Sequence, residues 1–412
     1  MYLSDLALND FRSYREVVLS FSPGVTTFIG ENGQGKTNLV EAIGYLATFS
    51  SHRVSADAAL VRQGANAGVI RAKVFHGESP TTLDIEILAG RANRARLNRG
   101  NVRPAELLGI VRAVVFAPED LSLVKGDPGE RRRFLDDVMV QFRPRMGGVK
   151  SDYDKVLRQR AALLKTMQKA RRRGGFVDET TLGIFDAQLA RHGARIIAQR
   201  AAIISQLRPH VEHYYREVSG GKGNARIDYL CNVDQRLNWS VPDIALIAGD
   251  DTGEIVRQID SHEAELMDVE LSERRMLEAL AAHRDDEINR GVNLVGPHRD
   301  DMILSLGTLP AKGYASHGES WSYALSLRLG SWQLMREDES GDWANDGEPI
   351  LILDDVFAEL DARRRTRLAG IVAEAEQVFV TAAVGDDLPL ELTGTRFLVH
   401  NGTVERMDES DE

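Results

Sequence analysis

The sequence predicts an α/β protein, a mixed sheet with a β-rich subdomain, interrupted by an inserted helical arm. Three observations predict it. A short apolar run, Val25 to Ile29, passes through a glycine-rich turn into the helical spacing Leu39, Ile43, Leu46. A long stripe of Phe185, Leu189, Ile196, Ile203, Leu207 and Val211 repeats at three, four or seven residues. Far along the chain a second apolar strand, Pro349 to Leu353, ends in two carboxylates, Asp354 and Asp355.

The elements follow in order. Leu6 and Leu8 alternate with polar neighbours, as do Val17, Leu19 and Phe21, so two strands flank the Arg12-Ser13-Tyr14 turn. The buried strand at Val25 to Ile29 precedes a helix over Asn38 to Phe49. Val69 to Val115 alternates in short segments, as at Leu83, Ile85 and Ile87, a β-rich subdomain. Val156, Leu163 and Met167 mark a helix ended by Arg171-Arg172-Arg173-Gly174-Gly175. Ile227, Tyr229 and Cys231 read as a lone strand. Glu254 to Arg290 reads as one helical stretch closed by Gly291. Strands resume at Met302 to Leu306, a helix runs from Glu319 to Met335, and Val378 to Thr381 and Phe397 to Val404 supply a strand and a terminal hairpin. The expected division is residues 1–130 and 291–412 for a head split in two, with 131–290 as the arm. The acidic stretch Glu337 to Glu348 is expected to be a surface loop.

Composition bounds the function. With 412 residues, 43% hydrophobic and 27% charged, the chain is an ordinary globular protein of two or three domains. It has no apolar run of membrane-helix length and no secretory signal at Met1 to Asp5, and its single cysteine, Cys231, forms no internal disulfide. A cytoplasmic protein with no membrane partner is expected. The net charge of −11 argues against nucleic acid until its distribution is read. From Lys125 to Gly175, 15 Lys and Arg face 6 Asp and Glu, and Arg91, Arg94, Arg96, Arg99 and Arg103 form a run without acid. Acid gathers instead at Asp250 to Glu287, Glu337 to Glu348 and Asp408 to Glu412. Lys165, Lys169, Arg171, Arg172 and Arg173 are candidate DNA-phosphate contacts, with a solvated helix face as the equal alternative.

Gly30-Glu31-Asn32-Gly33-Gln34-Gly35-Lys36-Thr37 fits G-x-x-x-x-G-K-[ST], the loop that cradles ATP or GTP. Glycines let backbone N–H groups turn toward phosphate oxygens, and the helix beginning near Asn38 aims its positive end at the same anion. Lys36 adds charge at the β- and γ-phosphates, and the Thr37 hydroxyl is a ligand for Mg²⁺. A second acidic element is needed for the metal, and Asp354 supplies it, leaving Asp355 to polarise the attacking water. Lys36 and Asp354 stand much further apart than in compact P-loop kinases or GTPases, so a large insertion separates two halves of one site.

A further segment sets the class. Ser316-His317-Gly318-Glu319 precedes an amphipathic helix carrying Leu325, Leu329 and Trp332. It makes a second anion site, one that ATPases of the ABC class press in trans onto the γ-phosphate held by another subunit. Ala358-Glu359-Leu360-Asp361 matches the loop that crosses the dimer seam in that class. The fold expected is therefore a P-loop NTPase of ABC/SMC-head type with an inserted helical arm domain.

These residues resemble the RecF family of recombination-repair ATPases, relatives of SMC heads. The likeness extends over the whole chain: Leu8-Asn9-Asp10-Phe11-Arg12-Ser13-Tyr14, Phe116-Ala117-Pro118-Glu119-Asp120-Leu121 with Arg131, Arg132, Phe134, Leu135 and Asp136, then Gly296-Pro297-His298-Arg299-Asp300-Asp301, and Leu353-Asp354-Asp355-Val356-Phe357. The resemblance implies ATP and Mg²⁺ as cofactors, an ATP-dependent homodimer and slow hydrolysis. It also implies binding to gapped DNA at single-strand/duplex junctions, work with RecR and RecO to load RecA, and service to replication and the SOS response. It places Glu119 and Asp120 at the loop that senses metal and γ-phosphate.

The chain departs from related ATPases in three places. Asp355 stands where a Glu is common, which fits weak turnover. Ala382-Ala383 follows Thr381 where a switch histidine is expected, leaving Thr381 as a poor substitute. The signature begins Ala315-Ser316 rather than with two glycines. Arg131 to Arg133 are read as ion-pair partners of Asp136 and Asp137, and His298 and Arg299 as structural more than nucleotide-sensing. Two other functions compete: an ABC transporter's ATPase subunit, which needs a membrane partner and has no use for the arm, and a monomeric P-loop kinase.

Overall fold

The computed structural model describes residues 1–54, 56–175, 179–221, 223–238, 252–338, 347–384 and 388–407. The acidic tail from Asp408 and most of the acidic stretch Glu337 to Glu348 lie outside the described residues. The chain divides into two compact units. Met1–Leu121, His213–Lys222 and His317–Glu412 form the first, and Ser122–Glu212 and Gly223–Ser316 the second. The expected arm, 131–290, falls inside the second unit, which starts earlier, reaches further and excludes His213–Lys222.

The first unit holds two six-stranded sheets. One is antiparallel, built from β1 (Tyr2–Phe11), β2 (Tyr14–Ser20), β4 (Ala67–His76), β5 (Ser79–Leu88), β6 (Arg94–Leu97) and β7 (Gly100–Val102), in the order β2-β1-β4-β5-β6-β7. The other contains β3 (Gly24–Ile29), β8 (Ala113–Phe116), β12 (Ile350–Asp354), β13 (Gln377–Ala382), β14 (Gly394–His400) and β15 (Thr403–Arg406), in the order β15-β14-β3-β13-β12-β8. All its pairings are parallel except β14 with β15. Every residue of β12 and β13 is buried, so these strands read as continuous apolar runs rather than alternating ones. α1 (Lys36–Thr48) follows β3, and Leu39, Ile43 and Leu46 all enter the core. α11 (His317–Arg336) and α12 (Ala362–Val372) complete the unit's long helices.

The register of the parallel sheet positions the site. Asp354 at the tip of β12 lies beside Thr381 of β13, and Thr381 lies beside Phe28 of β3. Thus the ends of three strands meet where β3 hands over to the glycine loop. Ligands of open parallel sheets sit at such carboxyl ends.

The second unit is helical around a small sheet. α2 (Leu121–Lys125), α3 (Pro128–Phe142), α4 (Arg145–Arg172) and α5 (Thr180–Ser219) are followed by β9 (Ala225–Leu230), α6 (Asn232–Arg236), α7 (Thr252–Leu266), α8 (Val269–Ala282) and α9 (Arg284–Arg290). β10 (Asp301–Leu306), β11 (Leu309–Pro310) and α10 (Ala311–Tyr314) close it, while α5 from His213 onward belongs to the first unit. β9 is not a lone strand: it pairs antiparallel with β10, Tyr229 opposite Met302. A pairing across so many intervening residues leaves no local signal. The single helical stretch expected at Glu254 to Arg290 is three helices. Asp268 caps the second by accepting from the Leu271 N–H at 3.0 Å, and Gly291 ends the third with φ 67°.

Buried charge is paired throughout this unit. Arg160, wholly buried, donates to Asp186 at 2.7 Å, Asn293 at 2.7 Å and Glu287 at 2.6 Å. Arg131 makes a two-pronged pair with Asp301 at 2.7 and 2.9 Å, and Arg132 donates to the Asp300 carbonyl. Asp136 is instead held by Arg200, at 2.7 and 3.0 Å, so the expected pairing of Arg131 and Arg132 with Asp136 does not form. Asp300 accepts from the Tyr229 hydroxyl and the Asn232 N–H. The segment Gly296 to Asp301 is therefore a structural knot of the unit, as favoured for His298 and Arg299. Removing one partner of such a pair strands a charge and costs about 3–5 kcal/mol.

His298 gives this knot a pH dependence. Its Nδ1 lies 2.7 Å from the Tyr153 hydroxyl, and burial pulls its pKa down to about 3. The folded imidazole stays neutral while the unfolded one takes a proton below its ordinary pKa of about 6.5. Its stabilising contribution is complete above that value and is lost as pH falls toward 3. Urea melts between pH 7 and 5 are expected to lose up to about 1.4 kcal/mol per pH unit from this group. The loss is expected to vanish in His298→Gln.

Candidate functional site

The glycine loop owes its shape to two close approaches. A Cβ at Gly30 would run into the Val399 carbonyl of β14. A Cβ at Gly35, with φ 114°, would lie 2.8 Å from the Tyr14 hydroxyl and 2.9 Å from Ser13 Oγ. The β1–β2 turn therefore leans on the first turn of α1, and Tyr14 donates to the Gly35 carbonyl at 3.1 Å. Gln34 accepts from the Asn401 N–H at 2.7 Å, and Asn38 donates to Ser13 Oγ at 2.9 Å. Glu31, Asn32 and Gly33 stay exposed. The loop is held at its ends and open at its crown.

Lys36 is buried within this loop, its Nζ donating to the carbonyls of Gly30 at 2.6 Å and Glu31 at 3.1 Å. The ammonium is thus already stored where phosphates would meet the N-terminus of α1. One residue on, Thr37 Oγ1 donates to Asp354 Oδ1 at 3.0 Å across a sequence separation of 317 residues. The two halves expected from sequence are joined by this bond. A hydroxyl and a carboxylate sharing one point beside a phosphate cradle are the donor set that Mg²⁺ takes. Among the described residues no group of three or more His, Cys, Asp or Glu gathers as a metal site, so a metal here would draw its remaining ligands from phosphate and water.

Asp355 follows Asp354 with φ 51°, a left-handed conformation that a non-glycine residue holds only under constraint. The constraint is Thr381. Its hydroxyl donates to Asp354 Oδ1 at 2.7 Å and accepts from the Asp355 N–H at 2.9 Å. Thr381 was expected to stand in for a γ-phosphate sensor; its hydroxyl is instead committed to ordering the two carboxylates. Burial, and then the negative Asp354 alongside, raise the pKa of Asp355 above the usual aspartate range. A carboxylate so placed has an increased appetite for a proton, the property a base needs.

The flanking segments divide in the same way. Asp120 is buried, accepting from Arg328 at 2.6 and 3.1 Å and from the Ala117 N–H at 3.0 Å, while Glu119 is exposed. Asp120, grouped with Glu119 as nucleotide-sensing, is thus taken up in holding its turn against α11. Asp361 caps α12 by accepting from the Arg364 N–H at 3.0 Å and pairs with the Arg364 guanidinium at 2.5 Å. Arg364 also donates to Ser322 Oγ at 3.1 Å, and its guanidinium leaves no room for a Cβ at Gly318. Ser316, His317 and Glu319, at the start of α11, are exposed. Of the candidate DNA contacts, Arg171 pairs with Asp285 at 2.7 Å, whereas Lys165, Lys169, Arg172 and Arg173 are exposed without an ion pair among the described residues. The Arg91 to Arg103 run is partly neutralised, Arg94 by Glu86 and Arg103 by Glu106.

Sequence reasoning missed the loop after α1. Arg12 clamps Glu41 at 2.6 and 2.8 Å, and Glu41 in turn accepts from the Ser51 hydroxyl. Ser51 Oγ receives the N–H groups of Arg53 and Val54 at 3.0 and 3.1 Å. This relay brings His52 Nε2 to 3.9 Å from Asp354 Oδ2. No periodicity marks these residues, since they act through contacts between distant turns.

A family model described as RecF/RecN/SMC N terminal domain matches residues 2–387. The chain is 57% identical over 411 residues to the DNA replication and repair protein RecF of Beutenbergia cavernae, covering 99% of this chain and 100% of that protein. It is 52% identical over 409 residues to the protein of the same name from Streptomyces avermitilis, covering 99% and 100%. A solved structure of the recombination mediator protein RecF with ATP, from the RecFOR pathway, superimposes with a TM-score of 0.81 at 25% identity, covering 99% of this chain and 98% of that one. An SMC head bound to the C-winged helix domain of ScpA gives a TM-score of 0.52 at 16% identity over 100% of this chain and 98% of that one, a likeness of fold. Among the described residues no helix is long and apolar enough to cross a membrane.

The contact at Gly30 makes a sharp test. Gly30→Ala is expected to push β14 away from the loop, lowering stability by about 1–3 kcal/mol. It should also weaken ATP binding in a titration, whereas Gly33→Ala, with open space at its Cβ, should weaken it less.

Proposed function

The chain belongs to the RecF family of DNA replication and repair proteins, and on that premise we propose that it is an ATP-gated DNA clamp of recombinational repair. One observation carries the reading. The chain pairs an assembled phosphate cradle, Gly30 to Asn38 with Asp354, with exposed signature residues at the start of a helix that is otherwise largely buried. Two copies arranged head to tail use both. Each triphosphate is held by one copy's loop and Lys36, and capped by the neighbour's Ser316, Gly318 and Glu319. The exposed Asp361 stands at the seam between them.

Thr37 and Asp354 hold Mg²⁺, which draws charge from the β- and γ-phosphates. Thr381 keeps Asp354 and Asp355 in register, and Asp355 takes a proton from the attacking water. Its short side chain supports slow turnover, and hydrolysis resets the clamp. Glu119 is the exposed acid of its loop and is left for sensing metal and phosphate. The DNA taken by the dimer is gapped, with a single-strand/duplex junction, and RecR and RecO act with it to load RecA in gap repair, at stalled forks and in the SOS response. The printed description of a relative as a recombination mediator in the RecFOR pathway supports those partners. No observation favours the transporter or kinase readings.

Two variants separate the halves of the nucleotide site. Lys36→Ala is expected to weaken ATP binding about 100-fold, the worth of one or two charge-assisted hydrogen bonds, and with it ATP-dependent dimerisation in light scattering. Ser316→Arg should bind ATP normally and stay monomeric. If it dimerises like the parent, capping in trans is wrong. On gapped duplex, changing Lys165, Lys169, Arg172 and Arg173 to Gln is expected to flatten the slope of log affinity against log salt by about 3, near 0.9 for each phosphate lost. An unchanged slope would make that run a solvated face.

A further inference from the structure

Thr381 cannot read the γ-phosphate while its hydroxyl orders Asp354 and Asp355, and Ala382 and Ala383 beyond it carry no polar side chain. The donor must come from another wall of the site. His52 Nε2 is buried, has no hydrogen-bond partner among the described residues, and lies 3.9 Å from Asp354 Oδ2. That distance fits a charge facing a carboxylate but is too long for a hydrogen bond. Leaving a buried imidazole nitrogen unmade is unfavourable by about 1–3 kcal/mol, so its placement asks for a reason.

The placement is built rather than incidental. Phe49 ends α1 in a left-handed conformation, φ 52°, donating to the Tyr45 carbonyl at 2.9 Å, which turns the chain back along the helix. Ser51 is then fixed to Glu41, and Glu41 to Arg12 in the β1–β2 turn. The same turn presents Ser13 and Tyr14 to the glycine loop. Arg53, next in line, donates to Asn38 Oδ1 at 3.4 Å and so ties the loop to the first turn of α1. One anchored relay therefore sets both the phosphate cradle and the imidazole that faces its metal-binding carboxylate.

We propose that His52 is the γ-phosphate-sensing donor of this site, supplying from the loop after α1 what related ATPases supply from a histidine after the equivalent of β13. The inference rests on the reading of Gly30 to Asn38 and Asp354 as the ATP site. Its ligand is the terminal phosphate of a nucleoside triphosphate, absent in the diphosphate, so His52 separates ATP from ADP rather than strengthening both. When the triphosphate enters, the unmet nitrogen gains an anionic acceptor, and the loop tied through Ser51, Glu41 and Arg12 registers its arrival.

The test compares binding of ADP and of a non-hydrolysable ATP analogue, both with Mg²⁺, together with dimerisation, in the full chain. His52→Ala and His52→Phe, the second keeping the ring's bulk without its nitrogen, are expected to leave ADP affinity within about two-fold. Both should lose about ten-fold in affinity for the analogue, the worth of one hydrogen bond to a charged group, and dimerise poorly. His52→Gln, whose amide can donate, should recover part of the loss. Equal loss for both nucleotides would make His52 structural only, and unchanged discrimination would remove it from the site; either result overturns the proposal. Should the parent itself bind the two nucleotides alike and stay monomeric, the reading of the whole site falls, a result distinguishable from failure of His52 alone.

Discussion

A single carboxylate oxygen joins this protein's nucleotide site. Asp354 Oδ1 receives the hydroxyl of Thr37 from α1 and the hydroxyl of Thr381 from β13. Helix, metal-binding strand and neighbouring strand are thereby tied at one atom in a buried setting, where a hydrogen bond to a charge is worth more than in water. The register of the parallel sheet makes the tie possible, because it brings the tips of β12, β13 and β3 level. Without it the glycine loop would still bind an anion, but the metal and the attacking water would have no fixed place relative to it.

Such a tie explains how a large insertion can interrupt the site without spoiling it. Loop-closure entropy grows slowly with length, so residues 122–316 add little to the penalty of bringing Asp354 home once β8, β12 and β13 pair. The insertion meanwhile has its own means of cohesion. Arg160, Arg200, Arg131 and Arg208 are each met by two or more partners within the second unit, so charges that would disrupt a core instead specify it.

What could be read from sequence follows from how local each signal is. The glycine loop, the Asp354-Asp355 strand and the serine-led helix carry their chemistry within a few neighbouring residues, and all three stand where the spacing placed them. The long amphipathic stripe was equally legible as α5. Contacts between distant segments were not. The pairing of β9 with β10, the choice of Asp301 over Asp136 by Arg131, and the Arg12–Glu41–Ser51 relay each depend on side chains brought together only after folding. Thr381 and Asp120 were placed near the nucleotide by position in a motif. Their actual work emerged only from what their oxygens touch.

The contact between Gly30 and β14 has a bearing on how the protein is made. The glycine loop is translated early, yet the wall against which it closes, Val399 with the Asn401 amide, is among the last parts to leave the ribosome. β3 likewise waits for β13 and β14 as its two neighbours. Local helices of the second unit form within their own stretch of chain, whereas this sheet belongs to the slow class of long-range topologies. A nascent chain thus emerges with its insertion able to fold and its nucleotide pocket unfinished, and competence for ATP arrives only once synthesis is nearly done.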